Sequence, residues 1–237
     1  MKEILIPIGK RIEGEPVLIN LAEARNVLIA GKDESDKSEY LKKVVDFIVN
    51  NKENDDVKLI LIDLTCDVFS KYNGDFHLKY PVLTKKTEAI ISLDFASEEI
   101  KNRKATFNAM RERGKSVFNI NDYNSGLNNE EKICNIVIIV FGADSLLQDD
   151  EGLKNIERIA SVGRGAGVHL VISINEISEN VIEPSLKTVL QTRICFATSS
   201  EEESLYVIHK AGAEKLRKGE RLYLAPTGVS RRILKTK

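Results

Sequence analysis

The chain has 237 residues, 42% of them hydrophobic and 30% charged, with a formal net charge of −1. This is the balance of a globular protein and excludes a disordered or fibrous chain. There is no run of about 18 apolar residues and no basic-then-apolar start of a secretion signal, and the near-neutral charge argues against a domain that grips duplex DNA unaided.

In chain order, Ile4 to Asn20 is punctuated by Pro7, Gly9, Gly14 and Pro16 and predicts two short strands, so that residues 1–25 form a β-ribbon. Val27 to Ala30 is the first core strand. The helix after it places Leu41, Val44, Val45 and Ile48 on one stripe, with Lys42, Lys43 and Asp46 facing water. A second strand is expected over Leu59 to Ile62, then a long helix from Lys86 to Arg113 that stops at Gly114. The polar stretch Asn119 to Glu131 is expected to be a mobile loop. Strands follow at Ile136 to Val140, Leu170 to Ile174 and Ile194 to Ala197, with a helix over Glu151 to Val162 after the acidic entry Asp149-Asp150. The basic tail Arg231 to Lys237 is expected to close the sheet as an edge strand with solvated charges. Runs apolar at every position suit strands covered on both faces, so the alternation predicts an α/β fold around a parallel sheet. No repeat or linker divides the chain, and residues 1–237 are expected to form one domain.

The chemistry concentrates at Gly31-Lys32-Asp33-Glu34-Ser35-Asp36-Lys37-Ser38. A phosphate-binding loop has Gly-x-x-x-x-Gly-Lys-Ser/Thr between a buried strand and a helix. Gly31, Lys37 and Ser38 stand in register, with the helix expected to begin near Lys37. Asp36 occupies the second glycine position, where backbone amides must approach the phosphates. Two like charges about 5 Å apart at an effective dielectric of about 20 repel by roughly 3 kcal/mol, so Asp33, Glu34 and Asp36 are expected to weaken nucleotide binding. An acidic strand-to-helix turn also produces the eight-residue pattern by chance.

Cys66, Cys134 and Cys195 have no metal-ligand spacing and are expected to be buried, reduced thiols. His77, His169 and His209 are equally dispersed, and His169 is expected to pack at the edge of a strand. No metal site follows from either set.

Several spaced motifs resemble FtsK/SpoIIIE-type ATPases, in the order of that family. They are Ile8-Gly9-Lys10, Gly14-Glu15-Pro16-Val17 and Leu21-Ala22 before the phosphate loop; Gly163-Arg164-Gly165-Ala166-Gly167-Val168-His169-Leu170-Val171-Ile172; Thr192-Arg193-Ile194; Ala211-Gly212-Ala213-Glu214-Lys215-Leu216; and Gly219-Glu220-Arg221-Leu222-Tyr223. The resemblance covers nearly the whole chain and implies a RecA-like P-loop fold. The family's acidic pair after the strand ending at Val140 corresponds to Phe141-Gly142, which cannot hold magnesium or polarise water. Its Thr-Gln sensor corresponds to Ile174-Asn175, and the resemblance makes Arg164 a candidate remnant of an intersubunit arginine finger, with a salt bridge or cap as the alternative role.

Within the family, the chain is most similar to the degenerate C-terminal ATPase modules of type VII secretion coupling proteins of the EssC/EccC type. That implies a domain that is not an enzyme and requires no cofactor, with at most a weak ATP/Mg site at Gly31, Asp36, Lys37 and Ser38. Its parent would be membrane-anchored and would assemble as a hexamer. The domain would lie on the cytoplasmic side without touching the membrane. Its partners would be small helical WXG-type secretion substrates and neighbouring ATPase modules, with no nucleic acid. The alternatives are an FtsK-like DNA translocase module, an ATP-binding regulatory domain with residual affinity, and an unrelated NTP-dependent enzyme that uses Asp144 as its metal ligand.

Overall fold

The structure is a computed structural model that describes residues 3–10, 15–51, 57–128, 131–226 and 233–236. Two strands, β1 (Leu5–Lys10) and β2 (Pro16–Asn20), form an antiparallel ribbon with a register shift between Pro7 and Gly9. Residues 11–14 of that expected ribbon, Gly14 among them, lie outside the described residues. A short helix, α1 (Leu21–Ala24), leads into β3 (Val27–Ala30) and α2 (Glu34–Asn50).

There follow β4 (Val57–Asp63), α3 (Lys86–Glu112), α4 (Ile120–Asn124), β5 (Asn135–Phe141), α5 (Asp144–Leu147) and α6 (Asp150–Val162). The chain continues with β6 (Val168–Ser173), α7 (Pro184–Val189), β7 (Thr192–Cys195), α8 (Glu201–Ile208), β8 (Arg221–Leu224) and β9 (Ile233–Thr236).

Seven strands form one sheet in the order β4-β5-β6-β3-β7-β8-β9. The first five are parallel, and β8 and β9 add on antiparallel. The mostly parallel sheet is the one the apolar runs predict. Side chains on β5 alternate between two buried layers, as the period of a strand requires. Ile136, Ile138 and Val140 face the layer of α3 and α6, whereas Val137, Ile139 and Phe141 face the layer of α2 and the ribbon. Leu41, Val44, Val45 and Ile48 are fully buried in the second layer, which confirms the predicted stripe on α2.

The stretch expected to be a mobile loop instead carries α4. The side chain of Asn119 accepts from the amides of Asn121 and Asp122, capping the helix, and Ile120 packs with Phe107 and Val117 in a satellite cluster. A local cap and one anchor side chain held it, and composition shows neither. β9 is the sheet edge expected of the tail, while Arg231, Arg232 and Lys237 lie outside the described residues. Among the described residues no helix is long and apolar enough to cross a membrane. Cys195 is buried, Cys134 is half-buried and Cys66 is exposed in a turn with φ +68°, so the expectation of three buried thiols holds at Cys195 alone of the three.

The edge of the sheet where the parallel strands begin is tied together by buried polar groups. Asn26, with φ +73°, donates to the carbonyl of Ala160 and accepts from the amide of Leu170. Arg103 reaches from α3 to the carbonyls of Cys134 and Ala166. His169, expected to pack at the edge of a strand, is the second residue of β6 at 2% exposure, and its Nε2 has no hydrogen-bond partner. Burial, with a smaller contribution from the positive charges of Arg164 and Arg103, pushes its pKa down to about 4. The folded state therefore binds fewer protons than the unfolded chain between about pH 4 and 6.5. The stability His169 contributes is complete above the unfolded value and is lost as pH falls through that window, by about 3 kcal/mol. Urea unfolding of the wild type and His169→Gln across pH 4–7 is expected to show the stability difference narrowing toward pH 4. A pH-independent difference would contradict this.

Candidate nucleotide site

The carboxyl ends of β3, β5, β6 and β7 meet where the order of an open α/β sheet reverses direction. β3 comes first of the five parallel strands in the middle of the sheet, so later strands lie on both sides of it. Crevices at such points are where ligands bind in this class of fold. The turn from β3 into α2 lies there. Gly31 has φ +152°, and a Cβ on it would lie 2.7 Å from Cβ of Phe196 in the turn after β7. Only glycine fits both the backbone and the neighbour. The Lys32 amide donates to the Ala197 carbonyl at 2.8 Å, fixing the turn against β7.

The helix begins three residues earlier than the motif predicts. The side chain of Asp33 caps it by accepting from the Ser35 amide at 2.9 Å, and Glu34 and Asp36 lie in the first turn. Acidic groups at a helix N-terminus are favourable, so the same residues that break the motif extend the helix. Lys37 is fully buried and donates to the Gly31 carbonyl. Burial lowers its pKa, and the carboxylates of Asp144, Glu34 and Asp33 pull it partly back. Ser38 turns its hydroxyl onto the Ser35 carbonyl at 3.0 Å.

Asp36 corrects the electrostatic expectation. Its carboxylate does not project into the turn; it accepts from the Gly219 amide at 3.0 Å and is almost wholly buried. It ties α2 to the turn before β8, where Arg221 stacks over Tyr40 and Phe196. Of the three acidic residues in this segment, Asp33 and Glu34 are the ones whose charge acts on Lys37.

At the end of β5, Phe141 is 2% exposed and fills the apolar layer with Phe69 and Tyr72. Gly142 has φ +72° and donates to Ser173 Oγ at 3.2 Å. Asp144, two residues on, is the acidic group that reaches the crevice. Its carboxylate accepts from the amides of Asn175 at 3.0 and 3.1 Å and of Glu176 at 2.8 Å, clamping the end of β6 to the start of α5. Asn175, which the resemblance aligned with the family's sensor, turns its side-chain amide to Glu34 Oε1 at 2.6 Å. Gly31, Lys37, Asp144 and Asn175 thus share one crevice. The Glu34–Asn175 bridge was not legible in the sequence, because the two residues are 141 positions apart.

Arg164 lies elsewhere. It is in the turn just before β6, at the opposite end of that strand from Asn175. A six-residue strand spans about 20 Å, so Arg164 cannot serve the crevice of its own chain. Among the described residues no cluster of three or more His, Cys, Asp or Glu could hold a metal.

The Asp36 contact gives a test. Asp36→Gly loses the Gly219 hydrogen bond and places glycine in a helix, each costing about 1 kcal/mol, so urea unfolding should show a loss of about 2 kcal/mol. Nucleotide affinity should change by less than about threefold, because the lost charge faces Gly219; tightening beyond tenfold would return Asp36 to the phosphate side. Gly31→Ala should cost about 3 kcal/mol from strain and overlap with Phe196.

A family model described as the FtsK/SpoIIIE family matches residues 1–179. The chain is 34% identical over 230 residues to the DNA translocase FtsK of Staphylococcus epidermidis, covering 92% of this chain and 28% of the relative. It is 31% identical over 239 residues to the DNA translocase SpoIIIE of Bacillus subtilis, covering 98% of this chain and 30% of that one. The chain thus spans under a third of the length of these relatives. Its fold is similar to the cytoplasmic domain of the Thermomonospora curvata type VII secretion ATPase EccC, with a TM-score of 0.79 at 19% identity, covering the whole of this chain and 28% of that one. It is also similar to the pCW3 conjugation coupling protein TcpA solved with ATPγS, with a TM-score of 0.78 at 18% identity, over 99% of this chain and 66% of that one.

These relatives overturn two expectations, that the chain is not an enzyme and that it takes WXG-type substrates to the exclusion of nucleic acid: its homologues are DNA translocases and its structural neighbours include ATPases. The first expectation followed from the departures at Asp36, Phe141-Gly142 and Ile174-Asn175 together; of these, the structure turns the Asp36 charge away from the crevice. The second followed from the resemblance to type VII secretion modules, with net charge in support, and net charge averages over a surface and says nothing of its local patches. From the extent of the family match and these identities, the chain belongs to the FtsK/SpoIIIE family.

Proposed function

We propose that the chain is the motor-type module of a longer DNA-translocating protein, binding an adenine nucleotide with magnesium in the crevice at Gly31, Lys37 and Ser38. The observation that carries this reading is the retained strand–turn–helix with a buried Lys37, within a chain about a third identical to DNA translocases over more than nine-tenths of its length. In P-loop proteins, backbone amides and the lysine hold the phosphates and the serine or threonine hydroxyl meets the metal. Gly31 permits the turn, Lys37 is positioned to neutralise phosphate charge, and Ser38 is the hydroxyl that would meet magnesium.

Phe141 and Gly142 supply no carboxylate, so in this reading Asp144 stands in for the acidic pair. It lies in the same β5–α5 turn, and its charge acts on Lys37 more strongly than that of any other group. Two amides of the β6 end fix its orientation, which favours a role in aligning a metal-bound water. Arg164, at the far edge of the sheet, would act only on the crevice of a second copy.

A module of a membrane-anchored type VII coupling protein, on the cytoplasmic side of the membrane, is the second reading. It is favoured by a TM-score of 0.79 to EssC (ATPases 2 and 3) from Geobacillus thermodenitrificans, at 17% identity. The translocase reading has the support of higher sequence identity.

Steady-state ATP hydrolysis with and without duplex DNA tests the proposal. The wild type is expected to hydrolyse ATP above a Lys37→Ala control, with stimulation by DNA that weakens steeply as salt rises. Asp144→Asn should lower kcat at least tenfold. Rates equal to the Lys37→Ala control, in the chain and in its full-length parent with DNA present, would defeat the reading.

A further inference from the structure

Resting on that nucleotide reading, the geometry points to a site that discriminates against the terminal phosphate, so that the resting crevice takes a nucleoside diphosphate in preference to a triphosphate, with Glu34 as the discriminating residue. Two carboxylates of the β3–α2 turn occupy two separate parts of the crevice. Asp33 sits on the helix N-terminus, accepting from the Ser35 amide at 2.9 Å. That is the position where a P-loop's amides hold a penultimate phosphate, which di- and triphosphates share. Its effect therefore falls on both nucleotides alike.

Glu34 does something different. It leans across from α2 to the end of β6 and accepts from the side-chain amide of Asn175 at 2.6 Å. The space between the turn and the ends of the neighbouring strands is where a terminal phosphate meets the lysine, the metal-holding acid and the sensor. Here the bridge reaches across that space and ties up one of the two N–H donors that the Asn175 side chain could offer a phosphate. The other polar atom of that side chain, Oδ1, is a buried acceptor without a partner and would repel a phosphate oxygen.

Asn175 cannot swing away with its backbone, because both Asp144 oxygens hold its amide. A terminal phosphate would thus face the Glu34 and Asp144 carboxylates in a crevice where, among the described residues, Lys37 is the buried cation. A diphosphate ends short of them. Triphosphate entry requires Glu34 to leave Asn175, and Glu34 is a surface residue of the first helical turn, free to do so.

Calorimetric titration with ADP and with the non-hydrolysable β,γ-imido analogue of ATP, both with magnesium, measures the discrimination directly. The wild type is expected to bind ADP at least tenfold tighter than the triphosphate analogue. Glu34→Ala is expected to bring the two within about threefold by tightening the triphosphate alone, and Glu34→Gln, which keeps the side-chain length, should do so in part. Asp33→Ser, which keeps a helix cap, should shift both nucleotides in parallel. Equal affinities in the wild type, or equal tightening of both nucleotides by Glu34→Ala, would overturn the inference and leave the nucleotide reading standing. Absence of binding by either nucleotide, in the wild type and all variants, would overturn both.

Discussion

A parallel sheet covered on both faces leaves no room for charge except at the ends of its strands. Every residue of β3, β5 and β6 is buried. Burying an ion in such a layer costs far more than a single contact returns. The polar chemistry of this chain is therefore expelled to two edges, and the location of the crevice follows from that exclusion. Lys37 is the test case. It is fully buried, yet it lies where the carbonyl of Gly31 and the fields of Asp144, Glu34 and Asp33 can reach it.

The two edges are built differently. At the carboxyl edge, one acidic side chain after another is used as a tie: Asp144 onto the end of β6, Asp36 onto the turn before β8, and Asp63 onto the amides of Val68 and Phe69. Backbone amides that strands leave unpaired at their ends need acceptors, and carboxylates are the strongest available. At the amino edge the ties are not carboxylates: Arg103 and Asn26 donate to carbonyls, and Asn26 also accepts from the Leu170 amide. An acidic residue in a strand–helix turn of this protein can thus be structural, and its presence near a phosphate loop says little until its partner is known.

The residues that close β5 are likewise structural. Phe141 completes an apolar layer that an aspartate could not enter without loss, and Gly142 adopts a left-handed backbone that a glutamate would occupy under strain. Asp144, two positions beyond Gly142, is clamped from across the crevice. Side chains tens of residues apart hold this end of the sheet together.

The sequence alone determined the periodic features. Val27–Ala30 and the stripe Leu41, Val44, Val45 and Ile48 were legible because apolar spacing reports burial directly, and Lys86 to Gly114 because a long uninterrupted helix ends at a glycine with φ +79°. Family membership was legible because its motifs are spaced over the whole chain. Only the tertiary structure decided where the charges went. Asp36 finds Gly219 across 183 positions, Glu34 finds Asn175 across 141, and His169 is enclosed by strands that meet only in the sheet. A side chain's charge is written in the sequence, but its direction is set by the nearest unsatisfied amide, and the fold alone places that amide beside it.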